Sequence, residues 1–83
     1  MKVKWTATAL RDVSAHVAYL DQFNCHAARE LAAGTLSALP LRGRRGRATG
    51  TRELVAVWPY VIVYAIEPDY VKIVRVWHGR QIA

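Results

Sequence analysis

The sequence predicts an α+β domain: an N-terminal strand, a two-helix antiparallel hairpin, then a three-stranded antiparallel meander, with the helices packed on one face of the sheet. Three observations predict it. Residues 50–81, GTRELVAVWPYVIVYAIEPDYVKIVRVWHGRQ, hold three apolar runs rich in Val, Ile, Tyr and Trp, each bounded by turn residues. Residues 9–39 repeat apolar positions at helical spacing instead. Between the two halves lies one arginine- and glycine-rich stretch with no periodicity.

Taken in order, Lys2–Trp5 alternates, with Val3 and Trp5 on one side and Lys2 and Lys4 on the other. This predicts an edge strand whose lysines face water and discourage unwanted pairing. Thr6 or Thr8 suits a helix cap, its hydroxyl accepting from an orphan N–H. Leu10, Val13, Val17 and Leu20 then form an apolar stripe, flanked by Ala9 and Ala18 and opposed by Arg11, Asp12 and Gln22. That helix should stop near Asp21–Asn24, and Asn24 suits the cap of the next. Ala28, Leu31, Ala32, Thr35, Leu36 and Leu39 give the second stripe. The alanines Ala27, Ala28, Ala32 and Ala33 suit a close helix crossing. Gly34 within this helix costs about 1 kcal/mol relative to alanine, marking a close-packing point or a weak spot. Pro40 ends the helix.

Leu41–Thr51, LRGRRGRATGT, reads as a mobile basic loop. The strands follow as Leu54–Trp58, Tyr60–Ile66 and Tyr70–Trp77. Pro59 has no N–H and belongs at a turn, and Pro68-Asp69 suits the centre of a type I turn. Their short connections predict antiparallel neighbours. The expected core contains Trp5, Leu10, Val13, Val17, Leu31, Ile62, Val63 and Ile73. The central strand is apolar on both parities, Tyr60, Ile62, Tyr64 and Ile66 on one and Val61, Val63 and Ala65 on the other. One helix layer covers one face, so the second face exposes an apolar strip or buries it against something else.

Bulk properties set the frame. Eighty-three residues allow a single domain, 1–83, and a composition 53% hydrophobic is too apolar for a disordered chain. No apolar run approaches the length of a membrane span, and MKVKWTATAL lacks the apolar core of a signal peptide. With a lone cysteine, Cys25, these features point to the cytoplasm. Net charge is +6, and Arg42, Arg44, Arg45, Arg47 and Arg52 fall within eleven positions. Such a field suits an anionic partner, nucleic acid or an acidic protein, or else a solvated loop that aids solubility.

The chain carries no CxxC, HExxH, GxGxxG or Walker-type loop, so no cofactor is expected. His16, His26 and His78 are too scattered for a metal site, and Cys25 beside His26 is a weak pair. The end of the last strand is richer. His78 and Arg80, with Arg52 and Arg75, could hold phosphate or carboxylate through bidentate hydrogen bonds, and a histidine there could serve as general acid or base. Alternatively His78 only packs on Trp77 in an exposed tail.

Several segments fit one known pattern. They are Trp5 followed by Ala9-Leu10-x-Asp12-Val13 and Tyr19-Leu20; Asn24 followed by Ala27-Ala28; Gly50-Thr51-Arg52-Glu53-Leu54; Pro59 to Tyr64; and Val74 to Arg80. In this order and spacing the chain resembles the ParE branch of the RelE/ParE toxins of bacterial type II toxin–antitoxin systems, over nearly its whole length.

The resemblance implies a small cytoplasmic toxin, of the plasmid-stabilisation type, neutralised by a cognate antitoxin whose extended and helical segment wraps it. It is compatible with a toxin–antitoxin heterotetramer. Arg42, Arg44, Arg45, Arg47, Arg52, Arg75, His78 and Arg80 are the expected partner-binding residues, and toxicity is expected to depend on the tip formed by His78, Gly79 and Arg80 together with Arg52 and Arg75.

ParE-type members inhibit DNA gyrase by binding. RelE-type members cleave messenger RNA on the ribosome, for which His78, Arg75 and Arg52 would be the catalytic groups here. The sequence departs from the nuclease pattern where Pro59-Tyr60 replaces an arginine expected just before the central strand, which favours the gyrase reading. A third reading is an inactive remnant that still binds antitoxin.

Overall fold

The computed structural model describes residues 1–19, 22–57 and 60–78. The elements are β1 (Lys2–Trp5), α1 (Ala7–Tyr19), α2 (Gln22–Ala38), a single 3-10 turn (Pro40–Arg42), β2 (Arg44–Arg45), β3 (Arg52–Val57), β4 (Tyr60–Ile66) and β5 (Tyr70–His78). The sheet has five strands in the order β1-β5-β4-β3-β2. The expected meander β3-β4-β5 is its antiparallel centre. β1 joins one edge in parallel with β5, and β2 joins the other antiparallel to β3.

Local chemistry explains most boundaries. Thr6 is the cap of α1, its Oγ1 accepting the Ala9 N–H at 3.1 Å. α2 begins at Gln22, so Asn24 lies inside the helix and not at its cap. Leu39 follows the last turn, and Pro40 opens the 3-10 segment. The β4–β5 connection has Pro68 and Asp69 at its centre and is closed by the Glu67 N–H donating to the Tyr70 carbonyl at 2.8 Å.

Helices and sheet share a core of Ala9, Val13, Ala28, Ala32, Leu36, Tyr60, Ile62, Tyr64, Val71, Ile73 and Val76, with Val3, Trp5 and Leu54 packed against it. Two expected core residues are not there. Leu10 is 40% exposed and Leu31 53% exposed. The residues facing the sheet are Ala9 and Val13 on α1 and Ala28, Ala32 and Leu36 on α2, the last three at strict i, i+4, i+8 spacing. Small side chains let the helices lie close to the sheet, and the flanking leucines are rotated outward. Val63 is buried but lies outside this cluster, on the other face. The side chain of Val17, like those of His16 and Cys25, is outside the described part. Gly34 is exposed, and a Cβ placed there would touch nothing, so it is the weak spot and not a close-packing point.

The stretch 41–51 is also more built than a mobile loop. The Tyr64 hydroxyl accepts the Gly43 N–H at 2.8 Å and donates to the Pro40 carbonyl at 2.7 Å. Glu53, 5% exposed, takes the Arg44 guanidinium at 3.2 Å and the Arg47 N–H at 3.4 Å. Gly43 is obligatory, since a Cβ would stand 2.6 Å from the Tyr64 hydroxyl and 2.8 Å from the Glu53 carbonyl oxygen. The segment is pinned by residues that lie far along the chain.

Candidate functional site

Register separates the residues that the sequence nominates. A shift between Val63 and Tyr64 leaves Val74 as an extra residue in β5, so Ile73 and Val76 both face the helices although three positions apart. Arg75 pairs with Val63 and Trp77 with Val61, on the face away from the helices, while His78 pairs with Tyr60 on the helix side.

Arg75 is engaged from within the chain. Its Nε donates to Asp12 Oδ2 at 2.8 Å and its second amine to Oδ1 at 3.1 Å, a bidentate pair. The Val76 N–H also donates to Asp12 Oδ2 at 3.0 Å. β1 covers only the first part of β5, so Asp12 takes the place of a further strand along the uncovered edge. Thr6 assists there, its hydroxyl donating to the Val74 carbonyl at 3.2 Å. The hydrogen bonds it donates to Asp12 raise the guanidinium pKa above its ordinary value, and the cation also lies 5.7 Å from the Trp77 ring centre.

His78 is half-buried and meets the buried Tyr60 edge to face, ring centres 5.6 Å apart. The packing expected against Trp77 goes to Tyr60, because His78 and Trp77 leave the strand on opposite faces. Arg52 pairs with Tyr64, four residues along β4 from Tyr60, which is on the order of 13 Å at strand rise. The three residues nominated as a nuclease centre therefore do not converge. Arg80 lies outside the described residues.

The arginines of 42–52 also divide. Arg44 pairs with Glu53 on the face away from the helices. Arg45 sits opposite Arg52 on the other parity, and the Arg52 guanidinium donates to the Gly43 carbonyl at 2.9 Å. Arg45, Arg47 and Arg52, with Gly46, Ala48, Thr49, Gly50, Thr51 and Ile66, line a recess of about 460 Å³. Arg42 does not line it and is exposed on the 3-10 turn that precedes β2.

The face away from the helices carries residues that the sequence reading had not grouped. Register brings Lys4 beside Lys72 and Lys2 beside Tyr70, and the Lys4 ammonium lies 4.5 Å from the Tyr70 ring centre. Lys72 pairs with Glu67 at 3.1 Å. Down the middle, Val61 and Val63 are buried and Ala65 half-buried, whereas Val55 is 42% exposed. The expected apolar strip is thus largely withdrawn from solvent, with cations along both sides. Alternation in β5 hints at Tyr70 and Lys72, but only the bulge at Val74 shows which later residues join them. Among the described residues no group of three His, Cys, Asp or Glu side chains could hold a metal. No helix of the described residues is long and apolar enough to cross a membrane.

Residues 3–83 match the family described as the ParE toxin of type II toxin–antitoxin systems, parDE. Toxin RelE2 of Caulobacter vibrioides is 41% identical, the match covering 98% of each chain. Among solved structures, the toxin–antitoxin complex RelBE2 of Mycobacterium tuberculosis contains a chain 34% identical, with TM-score 0.75 over 93% of this chain and 95% of that one. A chain from the chromosomal ParDE system of P. aeruginosa shares the fold at TM-score 0.66 and 22% identity, covering 94% of this chain and 95% of that one.

Proposed function

The chain belongs to the ParE toxin family of type II toxin–antitoxin systems, and on that premise we propose that it acts in the cytoplasm by binding and inhibiting DNA gyrase. Its cognate antitoxin covers the cationic sheet face. The observation that carries the gyrase reading is the dispersal of the acid–base candidates. Asp12 holds Arg75 on one face, His78 packs on Tyr60 on the other, and Arg52 lies about 13 Å farther along the sheet. General acid–base cleavage needs such groups within hydrogen-bond reach of one reacting centre. Inhibition by binding needs only a surface. Where a nuclease relative would offer an arginine before the central strand, Tyr60 is buried in the core.

The chain's charge supports an acidic partner segment. Lys2, Lys4, Lys72 and Arg75 on one face and the arginines at the β2 edge give a field that speeds association and makes it salt-dependent. The nuclease reading keeps one specific support, the row of cations beside Tyr70 and Trp77 on the open face, which suits a single strand with stacked bases. Purified toxin assayed on gyrase supercoiling and on translating ribosomes separates the readings. Inhibited supercoiling with intact messenger RNA is expected. Codon-positioned cleavage with unimpaired gyrase would replace this reading by the nuclease one, and inactivity in both would leave an antitoxin-binding remnant.

A further inference from the structure

We propose that the recess between β2 and β3 is a binding site for phosphate, either the terminal phosphates of a free nucleotide or consecutive phosphodiesters of a nucleic-acid strand. The inference rests on the recess alone and is independent of the toxin's target.

The first ground is an electrostatic cost within the fold. Arg45 and Arg52 are directly opposite across the β2–β3 ladder. Like charges so placed destabilise a sheet. The local carboxylate does not relieve them: Glu53 lies on the other parity and is committed to Arg44 and the Arg47 N–H. Among the described residues no acidic side chain lines the recess, whereas three arginines do. Among the described residues Arg45 has no hydrogen bond or ion pair, and its guanidinium is exposed. An external anion would offset the repulsion that the chain leaves standing.

The second ground is a preformed shape. Gly46 donates to the Thr51 carbonyl at 2.8 Å, and Thr51 returns to the Ala48 carbonyl through its N–H at 3.1 Å and its hydroxyl at 2.7 Å. Gly50, at φ +83°, takes the left-handed position that this turn requires. A Cβ on Gly46 would collide with Thr51 Oγ1, so the two sides of the hairpin meet there without room for a side chain. The volume of about 460 Å³ is in the range of small-ligand sites.

The third ground is stoichiometry of charge and acceptors. A terminal phosphate brings about −1.5 to −2 charge and three acceptor oxygens on one centre, and a strand repeats one charge and two free oxygens at each phosphodiester, so either can engage several guanidinium forks. A glutamate carboxylate brings one charge and two oxygens. Ile66 forms an apolar wall against which the uncharged part of a nucleotide can lie.

Backbone-amide NMR of the toxin titrated with inorganic pyrophosphate, with a ten-residue oligothymidylate and with a glutamate-rich peptide tests this. Pyrophosphate should shift the amides of residues 46–52, and Arg45→Ser should weaken its binding about tenfold while preserving the thermal midpoint or raising it. If the oligonucleotide binds through the same amides, its salt slope should fall by about one on loss of Arg45, identifying a nucleic-acid backbone as the source. Pyrophosphate binding alone identifies a free phosphorylated ligand. Unmoved amides with both phosphate probes, equal affinity in Arg45→Ser, or tighter binding of the peptide through these residues would overturn the proposal. An Arg47→Ser variant repeats the measurement should Arg45→Ser fail to fold.

Discussion

At the β5 end of the sheet, Arg75 is clasped by Asp12 and His78 packs on Tyr60. At the β2–β3 end, Arg45 stands opposite Arg52 and finds no carboxylate. Both ends carry arginines that look functional in the sequence. At the first the polar groups are engaged within the chain, closing a strand edge that β1 leaves uncovered. At the second, Glu53 and Tyr64 lie beneath the loop and fix its backbone while the Arg45 guanidinium remains exposed. A charged residue near a strand end is therefore weak support for a site until its partner is known. The useful signal is a cation whose surroundings supply no anion.

The contrast depends on one shared core, so the largest effect should come from removing it. Ile62 is fully buried at the centre of β4. Ile62→Ala should cost about 2–5 kcal/mol, which in a domain this small can abolish folding. An unchanged thermal midpoint would contradict the packing described.

The two ends can then be loosened separately. Tyr64→Phe removes the hydroxyl that bridges the buried Gly43 N–H and the Pro40 carbonyl, and the orphaned donor should cost about 1–3 kcal/mol. Amide exchange should accelerate at Gly43 and through residues 44–51 while β5 stays protected. Asp12→Ala should cost less, about 1–2 kcal/mol, because the Arg75 side chain is 42% exposed and water screens the pair. Exchange should then accelerate at Val76 and leave Gly43 unchanged. If either variant loosened both ends equally, the two regions would not be distinct units. The smallest effect lies away from both. Gly34→Ala on the exposed side of α2 should raise stability by about 0.5–1 kcal/mol, read from a urea midpoint shifted at constant slope.

These ends were unequally legible in the sequence. β4 has the expected bounds, and β5 differs by one residue, because runs such as Tyr60–Ile66 are long, β-branched and closed by Pro68-Asp69. β2 was not legible. Two arginines carry no strand signal, and their pairing is decided by Glu53 and by Tyr64 about twenty positions away. The inward stripe of the helices is not legible at Leu10 and Leu31, because residue size points to leucine there, whereas the close approach to the sheet places Ala9, Ala28 and Ala32 inward beside Val13 and Leu36. The Asp12–Arg75 clasp spans 63 positions. Nothing in local pattern announces it, and without it Arg75 and His78 looked like partners.

The central claim is that this toxin acts by binding and does not use acid–base chemistry at the β5 end. The most direct test is growth inhibition by His78→Ala in cells lacking antitoxin, at equal protein level and with messenger RNA integrity followed in parallel. The account predicts toxicity within a few-fold of the parent and no cleavage in either. A loss of about 10²–10⁴-fold in messenger RNA cleavage, with toxicity falling alongside it, would contradict the account and place His78 among the catalytic groups of a nuclease.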